Sequence, residues 1–337
     1  MIKLDKISPF GLVFLTSMSL SARGDPADLI GPILSRLQSM QNITVEYTST
    51  IENIKIPPSR PGSKDAYILG ISEQSTNTFR KHESYVRRDS IKTLKENGVV
   101  NLLKQSICIS PDGKVELMQQ PPAMAIPNGV IRTSIEPILR NEWVVDMALG
   151  LKVWDSNDSK IGDIFKIGKI TTDGNNVTLT YNDISKNIHK WIFNPKYDYA
   201  LIQYVIEKNN NKVEYICSDF KKNNALYMPN SITRKLYWAT KDAAKQELRQ
   251  TETINIRRVF INDPDNLKDS TFMVLWPPRS PIFDTRINKS FRTGEKAQTL
   301  TDEDIIDIFV SMDLRTQELM DDTKNRMSQI PPTMPPK

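Results

Sequence analysis

The sequence predicts a β-dominated α+β protein: one large antiparallel sheet, apolar on one side, covered by amphipathic helices. Three observations carry this. Between Ile188 and Trp238, short aromatic and β-branched blocks are each bounded by turn clusters. Within the blocks the apolar residues keep a two-residue period. Ala200, Ile202, Tyr204 and Ile206 oppose Gln203 and Glu207, and Ile232, Leu236 and Trp238 oppose Ser231, Thr233 and Lys235, with Arg234 and Tyr237 breaking the pattern. Elsewhere, three stretches switch to three- and four-residue spacing, the period of a helix with one face to bury.

The chain begins with Lys3 and Lys6, an apolar run from Ile7 through Leu20, and small residues at Ser19, Ser21, Ala22 and Gly24. That is the pattern of a cleaved secretory signal over residues 1–24, and the run is short for a membrane span, which needs about 20 apolar residues. An extracytoplasmic, periplasmic location follows as the expectation, with no integral membrane span. Pro26 opens the first helix, in which Leu29, Ile30, Ile33, Leu34, Leu37 and Met40 form one stripe. From Asn42 the period drops to two, with Ile43, Val45 and Tyr47 on one side. Extended segments follow through Tyr67–Leu69, Thr78–Arg88, Val99–Ile109 and Val115–Met118, the last pair joined by a turn at Pro111-Asp112-Gly113. Gln119–Asn128, with three prolines, reads as a long loop.

Ser134–Leu151 reads as a second helix, with Ile135, Ile138, Leu139, Trp143, Val144, Met147 and Leu151 on its stripe. Phe165–Ile167 and Val177–Tyr181 return to strand and lead into the central blocks. Thr253–Ile261 is a further strand whose apolar phase flips after Ile256; a bulge near Arg257-Arg258 would reconcile the two halves and bend the sheet. Pro277, Pro278 and Pro281 end the regular text. Thr301–Asp304 opens a C-terminal helix with Ile305, Ile308, Phe309, Met312 and Leu319 on its stripe, its acidic first turn matching the positive helix end. The Pro-rich tail, residues 330–337, has no periodicity to form helix or sheet.

With 337 residues there is room for one large β-rich domain or two small ones. A net charge of +5 from 45 basic and 40 acidic residues describes a mixed, solvated surface, without the concentrated basic face that nucleic acid requires. Cys108 and Cys217 are the only cysteines. In an exported chain they either close one disulfide or serve as small buried hydrophobes. Neither is in a Cys-x-x-Cys pair or beside a histidine, so a metal or redox role has no support. His82 reads as a surface residue. His189 shares a strand face with Trp191 and Phe193, and is either a general base in a cleft or a strand histidine at the sheet rim. No nucleophile motif, phosphate loop or zinc-binding pair is present, so no catalytic residue, metal ligand or cofactor is assigned and an enzyme is not expected. Trp191, Phe193, Tyr204, Ile216, Leu236 and Trp238 remain, as the lining of a cavity for a greasy ligand or as plain core.

One resemblance bears on that choice. Trp191-Ile192-Phe193-Asn194-Pro195, Tyr199-Ala200-Leu201, Ser218-Asp219-Phe220-Lys221 and Leu226-Tyr227-Met228-Pro229-Asn230-Ser231-Ile232 follow one another. In this order they resemble the central strands of the outer-membrane lipoprotein carrier (sorting) protein superfamily. The leading helix running straight into a strand, Leu29 to Tyr47, matches as well, and Asn262-Asp263-Pro264 with Ser270-Thr271-Phe272 is similar to large bacterial relatives. The resemblance implies an incomplete β-barrel over residues 25–296: a curved sheet with helices on its open side and a hydrophobic cavity for a lipid or lipoprotein acyl chain. A C-terminal helix, residues 297–329, and the tail extend beyond the compact carriers. The expected function is that of a non-enzymatic extracytoplasmic binding protein. A sensor or protein-interaction module with a filled core, holding its partner through the C-terminal helix, is the alternative; an extracytoplasmic hydrolase is a more distant one.

Overall fold

The computed structural model describes residues 26–54, 70–82, 85–96, 99–121, 124, 126–133, 145, 149, 164–208, 211–239 and 246–328. The expected signal segment, the Pro-rich tail, the expected Tyr67–Leu69 strand and most of the expected Ser134–Leu151 helix lie outside these. Of that helix, Val145 and Leu149 are described, both buried and joined by a Leu149 N–H to Val145 carbonyl bond of 3.0 Å.

Helix α1 (Pro26–Ser39) runs into β1 (Asn42–Asn53). Next come β2 (Gly70–His82), β3 (Tyr85–Glu96), β4 (Val99–Ile109), β5 (Val115–Gln120) and β6 (Asn128–Arg132). A second series comprises β7 (Lys169–Asp173), β8 (Asn176–Asn182), β9 (Ile188–Asn194), β10 (Ala200–Lys208), β11 (Asn211–Asn223), β12 (Leu226–Ala239) and β13 (Gln246–Ile261). Two short strands, β14 (Pro281–Asp284) and β15 (Lys289–Arg292), precede helix α2 (Asp302–Ser328).

The described strands form one open, curved sheet in the order β15-β14-β6-β5-β4-β3-β2-β1-β13-β12-β11-β10-β9-β8-β7. It consists of two meanders, β1 to β6 and β7 to β13, whose first and last strands pair antiparallel. The β14–β6 pair alone is parallel. The inner face carries the main core. Leu29 and Ile33 of α1, and Met40 just after it, are buried there with Ile43, Val45, Tyr47, Phe79, Ile107, Val115, Ile232 and Ile254. The amphipathic stripe of the leading helix therefore covers the sheet as the sequence predicts.

The outer face is covered too, but only at one end. Cys108 and Ile131 point away from the main core into a second cluster with Val274, Trp276, Ile282, Phe291, Leu300 and Ile305. The packing there is close: a Cβ added at Gly129 would meet the Trp276 ring at 2.1 Å. A polar seam holds the segment down. Arg87 Nη1 donates to the Thr271 and Met273 carbonyls, Glu116 accepts from Val274 N–H, and Arg286 bridges the buried Asp284 to Asp302. Helix α2 thus starts on the outer face, opposite α1. Ile305 is buried and Ile308 and Phe309 pack on this cluster, whereas Met312 and Leu319, expected on the same buried stripe, are exposed.

Three local readings change. Phe165–Ile167 is a turn, closed by the Gly168 N–H to Ile164 carbonyl bond of 2.8 Å, and β7 begins only at Lys169. In β10 the register slips between Leu201 and Gln203, so Leu201 takes the inward place predicted for Ile202. Pairing continues past the prolines into β14 and β15. The phase flip in β13 is the expected bulge: Glu46 opposes Arg258 and Tyr47 opposes Ile256, leaving Arg257 unmatched. Both halves of the strand, Ile254 and Ile256 before it and Val259 and Ile261 after it, then face the same core.

Candidate functional site

Registers place Ile170, Leu179, Trp191, Tyr204, Tyr215, Arg234, Glu252 and Ile51 in one row across the inner face, from β7 to β1. Its middle is an aromatic stack. The Trp191 and Tyr204 rings are 5.0 Å apart at 10°, and those of Tyr204 and Tyr215 are 5.7 Å apart at 18°. All three are fully buried, as is Phe193 one row away. Burial pushes the Tyr215 pKa up to about 12, while the Arg234 guanidinium beside it pulls the other way.

Arg234, which interrupts the alternation in the sequence, belongs to this interior. It pairs with Glu252 at 3.5 Å, and Glu252 also accepts from Ser49 Oγ at 2.7 Å; all three residues are buried. Isolated charges could not be buried, but a hydrogen-bonded pair can be. Toward β2–β4 the inner face stays polar, with Ser75, Asn77, Arg88, Ser90 and Gln105 all buried.

Of the six predicted cavity residues, Trp191, Phe193 and Tyr204 are together and close-packed. Leu236 and Trp238 share their face of the sheet and are half-buried. Ile216 is not with them: it opposes Gln203 and Thr233 on the other face, and its neighbours Tyr215 and Cys217 point inward. The prediction took Ile216 for an inward residue because the block Val-Glu-Tyr-Ile-Cys is apolar at adjacent positions, and type alone does not set the phase.

His189 is neither at the rim nor on a cleft. It is fully buried, with Nδ1 at 2.9 Å from Tyr204 Oη and Nε2 at 3.2 Å from Asp183 Oδ2. Since a carboxylate only accepts, Nε2–H donates to Asp183, which leaves Nδ1 to pair with the Tyr204 hydroxyl. Asp183 is held in turn by the backbone and side-chain amides of Asn187. The chain fixes the β8–β9 turn to β10 and ends in the aromatic stack.

Both cysteines are buried thiols outside any disulfide. Cys108 lies in the outer-face cluster and Cys217 in the inner core, on strands six places apart in the sheet, so the disulfide is not formed. Burial raises both thiols, Cys217 to about 12, which suits them to packing and not to nucleophilic work. Among the described residues no group of three His, Cys, Asp or Glu could hold a metal ion, and no helix is long and apolar enough to cross a membrane.

An opening among the described residues lies elsewhere. The β12–β13 ladder runs from Ala239–Gln246 only as far as Ser231–Asn255. Beyond it, Leu226–Asn230 stay with β11 while Ile256–Ile261 stay with β1, and the two strands part. A cavity of about 490 Å³ occupies the gap, lined by Met228, Ile256, Val259 and Phe260 and edged by Lys221, Lys222, Arg257 and Arg258. Asn223 Nδ2 spans it to the Val259 carbonyl at 2.6 Å. Behind the Met228 wall lies α1, whose buried Arg36 reaches the Tyr227 carbonyl and, at 3.5 Å, Met228 Sδ. Burial lowers the Arg36 pKa to about 10, against the pull of Asp198. The sequence assigns none of these residues to a ligand site: Arg257-Arg258 reads there only as a bulge, and Lys221 and Met228 only as part of the resemblance. Two basic pairs, Lys221-Lys222 and Arg257-Arg258, fall at strand positions where the apolar period lapses, and that was the available signal.

A scan against known protein families finds no match, and a search of curated proteins finds no significant relative. Solved structures similar to this chain include a DUF1329 family protein from Desulfovibrio piger, at 10% identity and a TM-score of 0.36, covering 73% of this chain and 97% of that one. A domain from Vibrio parahaemolyticus described as an outer membrane lipoprotein-sorting protein is similar at 8% identity and a TM-score of 0.33, covering 74% of this chain and 97% of that one.

Proposed function

We propose that this chain is a non-enzymatic, extracytoplasmic binding protein that shelters a lipid or lipoprotein acyl chain, admitted where β12 and β13 part. The observation that supports this is the cavity itself. It interrupts the sheet, it has the size of a small-molecule site, and its Met228–Ile256–Val259 wall is continuous with the core beneath α1. The stacked Trp191 and Tyr204, with Phe193 one row away, serve as the rigid back of that core and not as lining. Each methylene taken out of water contributes about 0.8 kcal/mol, so an acyl chain lying along this wall supplies ample affinity. Solvent extraction of the purified protein followed by mass analysis, with titration of a fluorescent fatty acid, tests the reading. A co-purified or displaceable acyl chain is expected; an empty protein that ignores the probe overturns it.

A second reading, a protein-interaction module, has its own support in α2. Val310, Met312, Leu314, Leu319 and Met320 are all exposed on a helix whose first two turns pack on the outer-face cluster through Ile305, Ile308 and Phe309. If α2 docks a partner, a photo-cross-linker placed at position 314 of the full chain captures it, and a chain ending at Phe309 keeps its thermal midpoint but no longer retains that partner in a pull-down.

A further inference from the structure

The rim of the same cavity says what else the ligand carries. Four cationic side chains, Lys221, Lys222, Arg257 and Arg258, line it, and no carboxylate does. Basic and acidic residues are nearly balanced over the whole chain, at 45 and 40, so this concentration is local. The nearest acids hold the cations loosely: Asp219 is 3.9 Å from Lys221 and Glu46 is 3.9 Å from Arg258, all four on exposed side chains. Lys222 has a ring beneath it, Tyr227 at 5.8 Å, and Arg257 has no acidic partner among the described residues. Arg257 is also the bulged residue of β13, and a bulge is a device for re-aiming a side chain. On the inner side, the nearly buried Arg36 stands against Met228 and leaves its Nη1 without a hydrogen-bond partner.

Resting on the acyl-chain reading, we infer that the ligand is an anionic amphiphile whose phosphate-type headgroup is held by Lys221, Lys222, Arg257 and Arg258 while its chain lies on Met228, Ile256, Val259 and Phe260. Cationic side chains that two strands contribute to one rim fit an anion with several oxygens, and arginine forks match phosphate geometry. Asn223, Asn224 and Asn230 add neutral polar groups on the same rim.

The shared chemistry, a phosphate, could come from a lipid headgroup or from free phosphate. Isothermal titration of the full chain with dodecyl phosphate, dodecyl maltoside and inorganic phosphate separates them. The inference expects dodecyl phosphate to bind at least tenfold more tightly than either of the others, with an affinity that weakens as salt is raised. It expects the K221Q/K222Q/R257Q/R258Q variant, whose circular dichroism and melting should match the parent because the four side chains are exposed, to lose that tenfold preference. Should this variant misfold, K221Q/K222Q alone, with β13 untouched, should lose several-fold. Equal binding of both dodecyl compounds, unchanged by the substitutions, overturns the headgroup assignment and leaves the acyl-chain reading standing. Inorganic phosphate binding as tightly as dodecyl phosphate overturns it in favour of a free-anion site. Failure of both dodecyl compounds to bind removes the acyl-chain reading, and the headgroup with it.

Discussion

Strands β12 and β13 are one pair with two fates. From Ser231 to Ala239, β12 is laddered to β13, and the inner face there is sealed by the Arg234–Glu252 pair next to the aromatic stack. From Leu226 to Asn230 the ladder is absent, the edge is basic, and a cavity stands in its place. The difference comes from what each strand does on its other side. The bulge at Arg257 keeps β13 bound to β1 through Ile43–Ile261, and the left-handed Asn224 turn keeps β12 bound to β11. Neither strand gives up that pairing to close the gap. One half carries the stability of the sheet; the other carries an opening.

The largest expected effect lies in the sealed half. Glu252→Ala leaves the buried Arg234 guanidinium without its carboxylate and should cost about 3–5 kcal/mol in urea unfolding. The double variant Arg234→Met/Glu252→Leu, which removes both charges, should recover most of that loss. Deleting Arg257 tests the junction between the halves. Without the bulge, Val259 and Ile261 must turn outward or β13 must slip on β1, and a loss of about 3 kcal/mol is expected from their exposure.

The outer face supplies a pH-dependent comparison. Burial alone would raise the Asp89 carboxyl, but bonds from Arg87 and Ser106 and the nearby Arg80 charge more than reverse this and hold it below its ordinary range. Its contribution is therefore present above the unfolded-state pKa of about 4 and is lost as pH falls through the lower folded value. Asp89→Asn should flatten that acid limb of the stability–pH curve and leave the slope between pH 6 and 8 unchanged. The smallest effect belongs to the open half: Lys221→Gln and Lys222→Gln should each shift stability by no more than about 0.5 kcal/mol, since both side chains are exposed and their backbone pairing with β12 is untouched.

Much of this architecture was legible in the residues. The two-residue period marks the strands from Ile43 to Tyr47 and from Trp191 to Trp238, and the three- and four-residue stripe of α1 buries where it was expected to. Even the bulge could be read, because Ile256 and Val259 cannot share a face without an extra residue between them. What failed has a common cause. Arg234 looked like a break in an oily face because its partner Glu252 is 18 positions away in the sequence; Ile216 and Ile202 looked inward because their neighbours are apolar too. His189 looked peripheral because Asp183 and Tyr204, which make its burial tolerable, lie on other segments. Lys221-Lys222 and Arg257-Arg258 carry no shared signal until two strands separate and bring them to one rim. Local period reports which residues can be buried; polar partners across strands decide which ones are.

The claim on which the rest depends is that a chain-bearing ligand lies where β12 and β13 part. A photoactivatable, diazirine-bearing fatty acid, bound, irradiated and mapped by peptide mass analysis, tests it most directly. The account predicts adducts on the peptides carrying Met228 and Ile256–Phe260. Adducts on the Trp191–Tyr204 peptides in their place, or spread evenly over the surface, would contradict it.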